Sequence, residues 1–385
     1  MPKLPVPMSS PDLTDAERQA VANVLDTPIL SMGQYVKDFE QAFCERTGAK
    51  HAIAVNSGTA GLHLCVRAVG IGEGDLVITT PFSFVASSNV MLFENAVPLF
   101  VDIDPRTGNI DPELIKDAIE NTEQYLPRKG AKADAKIKAL LPVDVFGQPA
   151  DMDTIIAIAK EHNLAVIEDS CEALGAEYKN RPAGMLGDFG IFAFYPNKQM
   201  TTGEGGLVIT NNDKDADYMR AMRNQGRAPG DTWLTHTHLG YNYRLDEMSA
   251  ALGAVQMSRL DEMLGKREQV AMWYKSALAD VEGVETLFID KSTSRMSWFV
   301  YVVRFDKNID RDELAQKLIA AGAPVRPYFA PIHLQPYMVE KFGYERGDFP
   351  ITEDLGNRSL ALPFSGVMSK AQVEQVCETI AKLLK

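Results

Sequence analysis

Three short stretches carry residue types that can do chemistry together. In FAFYPNKQMTTGEGG, residues 192–206, Lys198 stands between a Tyr-Pro-Asn turn and a glycine cluster. Its flanks are too apolar for an ordinary solvated ammonium. A lysine held partly out of water can condense with an aldehyde to form a Schiff base. In LAVIEDSCEALGA, residues 164–176, Glu168 and Asp169 close an apolar run. Side chains alternate along a strand, so one carboxylate points into the cleft beyond the strand end and its neighbour turns away. Each reads either as a cap or ion pair for the following turn or, for Asp169, as the partner of a positively charged ring nitrogen. In HAIAVNSGTAGLHL, residues 51–64, Ser57, Gly58 and Thr59 stand where a strand gives way to a helix. That placement binds a phosphate through unsatisfied N–H groups, and equally makes a plain helix cap. The glycine-lysine spacing of a P-loop is absent.

A phosphate cup, a carboxylate for a pyridinium and an amine for an aldehyde are the three handles of pyridoxal 5'-phosphate. They occur in that order, with Asp169 29 residues before Lys198. The order fits one large domain of the aspartate-aminotransferase type.

The elements that must position these residues are legible between about 50 and 210. HAIAV, DLVITT, PLFVDID, IKALLPVDVF, LAVIED, GIFAF and GGLVIT read as buried strands, several of them separated by helical patterns such as Asp151 to His162. This predicts an α/β layer with a largely parallel sheet, in which ligands gather at the carboxyl ends of the strands. From roughly Asp246 to Asp280 the pattern predicts one long connecting helix. The remainder holds a strand (SWFVYVVRF), a helix (DRDELAQKLIAAGA), a proline-punctuated segment (PVRPYFAPIHLQP) and a closing helix. The expected division is a large α/β domain with an N-terminal arm over 1–250, then the connecting helix and a small α+β domain over 251–385. A charged loop near Arg128 to Lys138 is expected to be exposed.

Composition narrows the function. With 385 residues and 45% hydrophobic content the chain can bury an enzyme-sized core. Its net charge of −13, from 52 acidic and 39 basic residues without a basic run, argues against nucleic acid as a partner. Cys44, Cys65, Cys171 and Cys377 are widely spaced, which indicates neither a disulfide framework nor a metal cluster. No apolar stretch is long enough for a signal sequence or a membrane span, so a cytoplasmic protein is expected.

The chain resembles the DegT/DnrJ/EryC1/StrS family of sugar aminotransferases along nearly its whole length. The blocks GQYVKDFEQAF, NSGTAGLHL, TTPFSFVASSN and PLFVDIDP carry the likeness, and PVDVFGQPADMD, IEDSCEALGAEY, GDFGIFAFYPNKQMTTGEGG and GYNYRLDEMSAALG carry it most specifically. The resemblance implies the fold-type I architecture of pyridoxal-phosphate enzymes and transfer of an amino group, usually from glutamate, to a keto carbon of a nucleotide-linked sugar. Pyridoxamine 5'-phosphate is the intermediate form of the cofactor, and homodimers with shared active sites are usual.

Matched block by block, Lys198 is the Schiff-base lysine and proton carrier, Asp169 the pyridinium partner, and Gly58 and Thr59 the phosphate cup, with Ser57 adding a hydroxyl. Phe84 takes the position that stacks on the cofactor ring. Asn242 takes that of an asparagine reaching the neighbouring subunit's phosphate, or else satisfies its own turn. Arg244, Arg326, Tyr328 and His333 are candidates for contacting the sugar nucleotide, or else brace their loops. The chain departs from the family at Glu172, where many members have Gln near the cofactor's phenolic oxygen, and at Ala193, where many have Ser. Two competing readings are a sugar 3-dehydratase, which carries His at the lysine position, and a cofactor-binding regulator that does not turn over. Lys198 speaks against the first, and the retained handles speak against the second.

Overall fold

The computed structural model describes residues 4–228 and 230–385. Its central sheet is built from β1 (His51–Val55), β2 (Leu76–Thr79), β3 (Val97–Phe100), β4 (Ile137–Leu140), β5 (Ala165–Asp169), β8 (Phe189–Ala193) and β9 (Gly206–Thr210), while β6 (Glu177–Tyr178) and β7 (Arg181–Pro182) form a small excursion. The strand order is β1-β9-β8-β5-β4-β2-β3. These strands read as nearly unbroken apolar runs because helices cover both faces. β2, β3 and β9 are buried at every position.

Six of the seven strands run the same way. β9 is antiparallel to both neighbours, β1 and β8. A parallel return needs a crossover helix. Here only residues 194–205 link β8 to β9, so the chain turns back at once and pairs Ala193 with Gly206. Lys198 lies in that return. The expectation of a largely parallel sheet holds with this one reversal.

The second unit contains β10 (Val284–Thr286), β11 (Thr293–Arg295), β12 (Tyr301–Phe305), β13 (Arg326–Pro327) and β14 (Ser359–Leu362). Four of them form an antiparallel sheet in the order β10-β12-β14-β13, and β11 pairs with β6 of the first unit. The helices Arg311–Ala320 and Lys370–Leu384 supply Leu314, Leu318, Val373 and Val376 to its core. Asp310 and Ser369 cap these helices by accepting first-turn N–H bonds, an arrangement worth about 1 kcal/mol each.

Three sequence expectations change in detail. The connecting helix is two helices, Glu247–Ser258 and Leu260–Leu278, jointed at Arg259. The Arg259 guanidinium is drawn to Asp12 at 2.9 Å and Glu17 at 2.5 Å, which anchors the joint to the chain's beginning. The strand expected from Ser297 starts only at Tyr301. Ser297 and Phe299 instead donate their backbone N–H groups to Gly147 and Phe146, each at 3.2 Å, so this stretch is docked onto the large unit. Packing also crosses the 250/251 division. Val6 joins the small unit's core, where Phe364 N–H donates to the Met8 carbonyl at 2.9 Å, and Ile332, Met338, Phe342 and Phe349 pack beside Leu99 and Phe100 of the large sheet.

Candidate active site

A cavity of about 430 Å³ opens at the carboxyl edge of the large sheet, where the small unit's Phe299 and Tyr328 close its far side. Its near wall holds Gly58, Thr59, Asp169 and Lys198. Residues apart in the chain meet here because β1, β5 and β8 all end on one edge, and each of these ends leads directly into a functional turn.

Lys198 is presented by a turn closed by its own N–H to the Tyr195 carbonyl at 2.9 Å. Its side chain is 14% exposed, with Nζ 3.7 Å from Glu172 Oε1. The Phe299 ring centroid lies 3.7 Å from the same nitrogen. Glu172 also accepts the Phe146 N–H at 2.9 Å. Burial pushes the Glu172 carboxyl up from its ordinary range, opposed by the Lys198 charge and the Phe146 N–H. Residue 172 is thus a buried carboxyl beside the amine. Gln199, next in the chain, donates to the Glu172 carbonyl at 2.5 Å and to Ser297 at 2.9 Å, fastening the lysine turn to both units.

The two neighbouring acids part as alternation requires. Glu168 turns away and accepts three backbone N–H bonds, from Gly184 at 2.7 Å, Leu186 at 2.9 Å and Gly187 at 3.1 Å. Asp169 faces the cavity. Its Oδ2 accepts the Ser87 hydroxyl at 2.7 Å, and Ser87 pairs with Ser83 at 2.9 Å. Its Oδ1 accepts the Cys171 N–H at 3.2 Å. Each carboxylate oxygen has one protein donor and keeps acceptor capacity toward the cavity.

Ser57 caps the helix Gly58–Val69, its Oγ accepting the Ala60 N–H at 3.1 Å while its carbonyl accepts that of Gly61 at 3.1 Å. The amides of Gly58 and Thr59 have no intrahelical partner. They border the cavity at the positive end of the helix. The space here is used to the limit. A Cβ on Gly58 would stand 2.7 Å from Ala193 Cβ, and one on Gly206 would stand 2.4 Å from the Ser57 carbonyl group. Ala193 therefore packs against the cup, where a larger side chain would press on Gly58.

These features fit pyridoxal 5'-phosphate: an anion cradle with no room for a Cβ, an acid aimed into the cavity, and an amine at its floor. Asn197 Oδ1, buried and without a partner among the described residues, borders the same space. The cavity also takes in the ring of Phe84, 64% exposed at the mouth.

The structure does not gather every residue singled out from the sequence. Tyr328 lines the cavity. Arg326 stands exposed on β13, and Asn242 is exposed with its carbonyl accepting from Asn56 at 3.3 Å. Arg244 donates to Asn224 at 3.1 Å and does not line the cavity. His333 departs furthest. It is fully buried, with Nε2 3.0 Å from Glu353 and its ring against Phe349, so it braces the loop and does not line the cavity. Sequence reasoning missed Ser83, Ser87, Phe299 and Arg267. The serines had a signal, lying four residues apart on either side of Phe84 within PFSFVAS, whereas Phe299 and Arg267 had none.

Known proteins resemble the chain along nearly its whole length. Residues 11–381 match the DegT/DnrJ/EryC1/StrS aminotransferase family. The chain is 38% identical to the GDP-perosamine synthase of Caulobacter vibrioides over 382 residues, covering 98% of both chains. It is 36% identical to the spore coat polysaccharide biosynthesis protein SpsC of Bacillus subtilis, covering 99% of this chain and 97% of the other. Among solved structures, DesV of S. venezuelae superposes with a TM-score of 0.88 at 30% identity, covering 100% of this chain and 99% of DesV. With this match and the cup, acid and amine in one cavity, the chain belongs to the DegT/DnrJ/EryC1/StrS aminotransferase family, whose cofactor is pyridoxal 5'-phosphate.

Proposed function

We propose that this enzyme moves an amino group from an amino acid, L-glutamate, to the keto carbon of a nucleotide-linked sugar, in the cytoplasm, for amino-sugar or polysaccharide biosynthesis. The observation that carries the reading is the meeting of Lys198 Nζ, the Asp169 carboxylate and the Gly58–Thr59 amides around one cavity. The names of the relatives supply the substrate class.

When bound, the cofactor supplies an electron sink for the carbon that loses its proton. Gly58 and Thr59 would hold the phosphate by their N–H groups, with Ser57 setting the helix start. Asp169 would balance a protonated ring nitrogen, its geometry held by Ser87 and the Cys171 N–H. Phe84, at the mouth, would cover the cofactor ring. Lys198 would anchor the cofactor and, as a free amine, would take the proton from the donor's α-carbon, its amine kept in place by Glu172 and Phe299. The same side chains serve both half-reactions, because the second is the first run backwards with the sugar as acceptor.

The site is proposed to be completed in a homodimer. Lys198 is the one basic residue lining the cavity among the described residues, although both substrates are anionic. Asn242 and the exposed Trp233, Leu234 and Leu239 lie on the surface segment that would bring a second copy to the mouth. Arg244 and Arg326 are the candidate cations.

The test is a panel of nucleotide-linked 3-keto and 4-keto sugars with glutamate, read by product mass and by 2-oxoglutarate release. An amino-sugar product from at least one member is expected. A protein that binds pyridoxal phosphate yet exchanges no amino group with glutamate would support the regulatory reading instead.

A further inference from the structure

We propose that Arg267 is a positioning residue for the reaction, locking the Lys198 amine against the Phe299 ring by gripping both backbone segments at once. Arg267 lies on the helix Leu260–Leu278 and is 4% exposed. Its Nη2 donates to the Lys198 carbonyl at 2.5 Å and the Asn197 carbonyl at 3.2 Å. Its Nη1 donates to the carbonyls of Trp298 and Phe299, each at 3.2 Å. One planar guanidinium thus spans the lysine turn of the large unit and the docked stretch of the small one.

The acceptors are all neutral. No carboxylate forms an ion pair with Arg267 among the described residues, and Asp12 is the acid whose charge it feels. A buried cation set among carbonyls, with the Phe364 ring centroid 5.7 Å from it and no carboxylate to neutralise it, costs stability that an apolar side chain would not. Fastening either segment alone would not require it, since Gln199 and the Phe146–Phe299 backbone bond already do part of that work. What the fork adds is a fixed relation between two peptide planes, one bearing the amine and the other bearing the ring 3.7 Å from it. A lysine at 267 keeps the charge but cannot present four donors in a plane.

The inference rests on Lys198 being the reacting amine, and the test separates the two claims. Holoenzyme would be prepared as wild type, Arg267→Lys, Arg267→Met, Phe299→Leu and the Arg267→Lys/Phe299→Leu double variant. Three quantities would be followed: the single-turnover rate with saturating glutamate from the cofactor's absorbance, the apparent Kd for glutamate, and the fraction of Lys198 carrying cofactor after borohydride reduction. Wild type showing neither glutamate turnover nor a Lys198 adduct would sink the functional reading itself. With wild type active, Arg267→Lys is expected to slow the single turnover about tenfold to a hundredfold, as misplacement by an ångström does, while Kd for glutamate changes by less than about threefold. The loss in the double variant should fall short of the product of the single losses, because removing the ring removes part of what Arg267 positions. Arg267→Met should lose at least as much rate as Arg267→Lys, and if it does not fold, the lysine variant carries the test. A wild-type single-turnover rate in Arg267→Lys with only a lowered Tm, or independent multiplication of the two single effects, would overturn the proposal.

Discussion

Lys198 and His333 both stand on proline-flanked turns in apolar surroundings, yet the two regions have opposite fates. The first ends in the cavity with its amine 3.7 Å from Glu172. The second is sealed against Phe349 with its ring nitrogen 3.0 Å from Glu353. What separates them is the element before the turn. Lys198 follows β8, a strand ending on the open edge of the large sheet, where backbone and side chains emerge into a cleft. His333 follows β13 by several residues and lies where Ile332 and Phe349 press the segment onto the flank of that sheet. Apolar flanks mark a buried turn, and only the strand edge makes it a site.

This contrast can be broken most severely at the lysine. Lys198→Ala is expected to lower kcat by about 10⁴-fold, measured as amino-sugar formation, whereas His333→Gln should leave kcat within about twofold and lower Tm instead. Equal losses in both would erase the distinction drawn here. The paired acids offer a finer version. Asp169→Asn should cost about 10²- to 10³-fold in kcat with the protein folded. Glu168→Gln should act on stability, by about 1–3 kcal/mol, because it replaces one of the two oxygens that together accept three buried N–H bonds, as a denaturant melt would show.

The cup is next in size. Gly58→Ala sets a methyl group 2.7 Å from Ala193 Cβ and 3.1 Å from Cys171 Sγ. Overpacking of this kind costs about 1–3 kcal/mol, expected to appear as weaker binding of pyridoxal phosphate in a titration of the apoenzyme. The smallest expected effect is in pH. Burial lowers the affinity of His63 and His333 for a proton below the ordinary value of 6.5, despite the neighbouring Glu94 and Glu353. The unfolded chain then binds more protons than the folded one as pH falls past 6.5, so this stabilisation is complete above that value and declines below it, by at most about 1.4 kcal/mol per pH unit for each ring. Melting curves between pH 7.5 and 5 should show the decline, and His333→Gln should flatten it.

The near wall was readable in the sequence because its chemistry follows strand ends. An apolar run closing in Glu168–Asp169, or giving way to Asn-Ser-Gly-Thr, states both the strand and what stands at its edge. The far wall carries no such mark. Phe299 sits in a run that reads as strand from Ser297, and only docking onto Phe146 and Gly147 pulls it out of the sheet. Arg267 occupies a polar-looking helix position whose burial depends on the small unit folding over it. The reversal of β9 was equally hidden, since a buried strand looks alike in either direction. It follows from the shortness of the 194–205 link once β8 and β9 are seen as neighbours.

That reversal has a thermodynamic consequence. β9 begins at Gly206, against the Ser57–Gly58 backbone, so the strand that ties β1 into the sheet is also the floor of the phosphate cradle. Binding at the cradle and closure of that edge of the sheet are therefore linked equilibria, and cofactor at a thousand times its Kd would add about 4 kcal/mol to the folded state. Without cofactor the protein would lose not only its chemistry but also this part of its margin against unfolding.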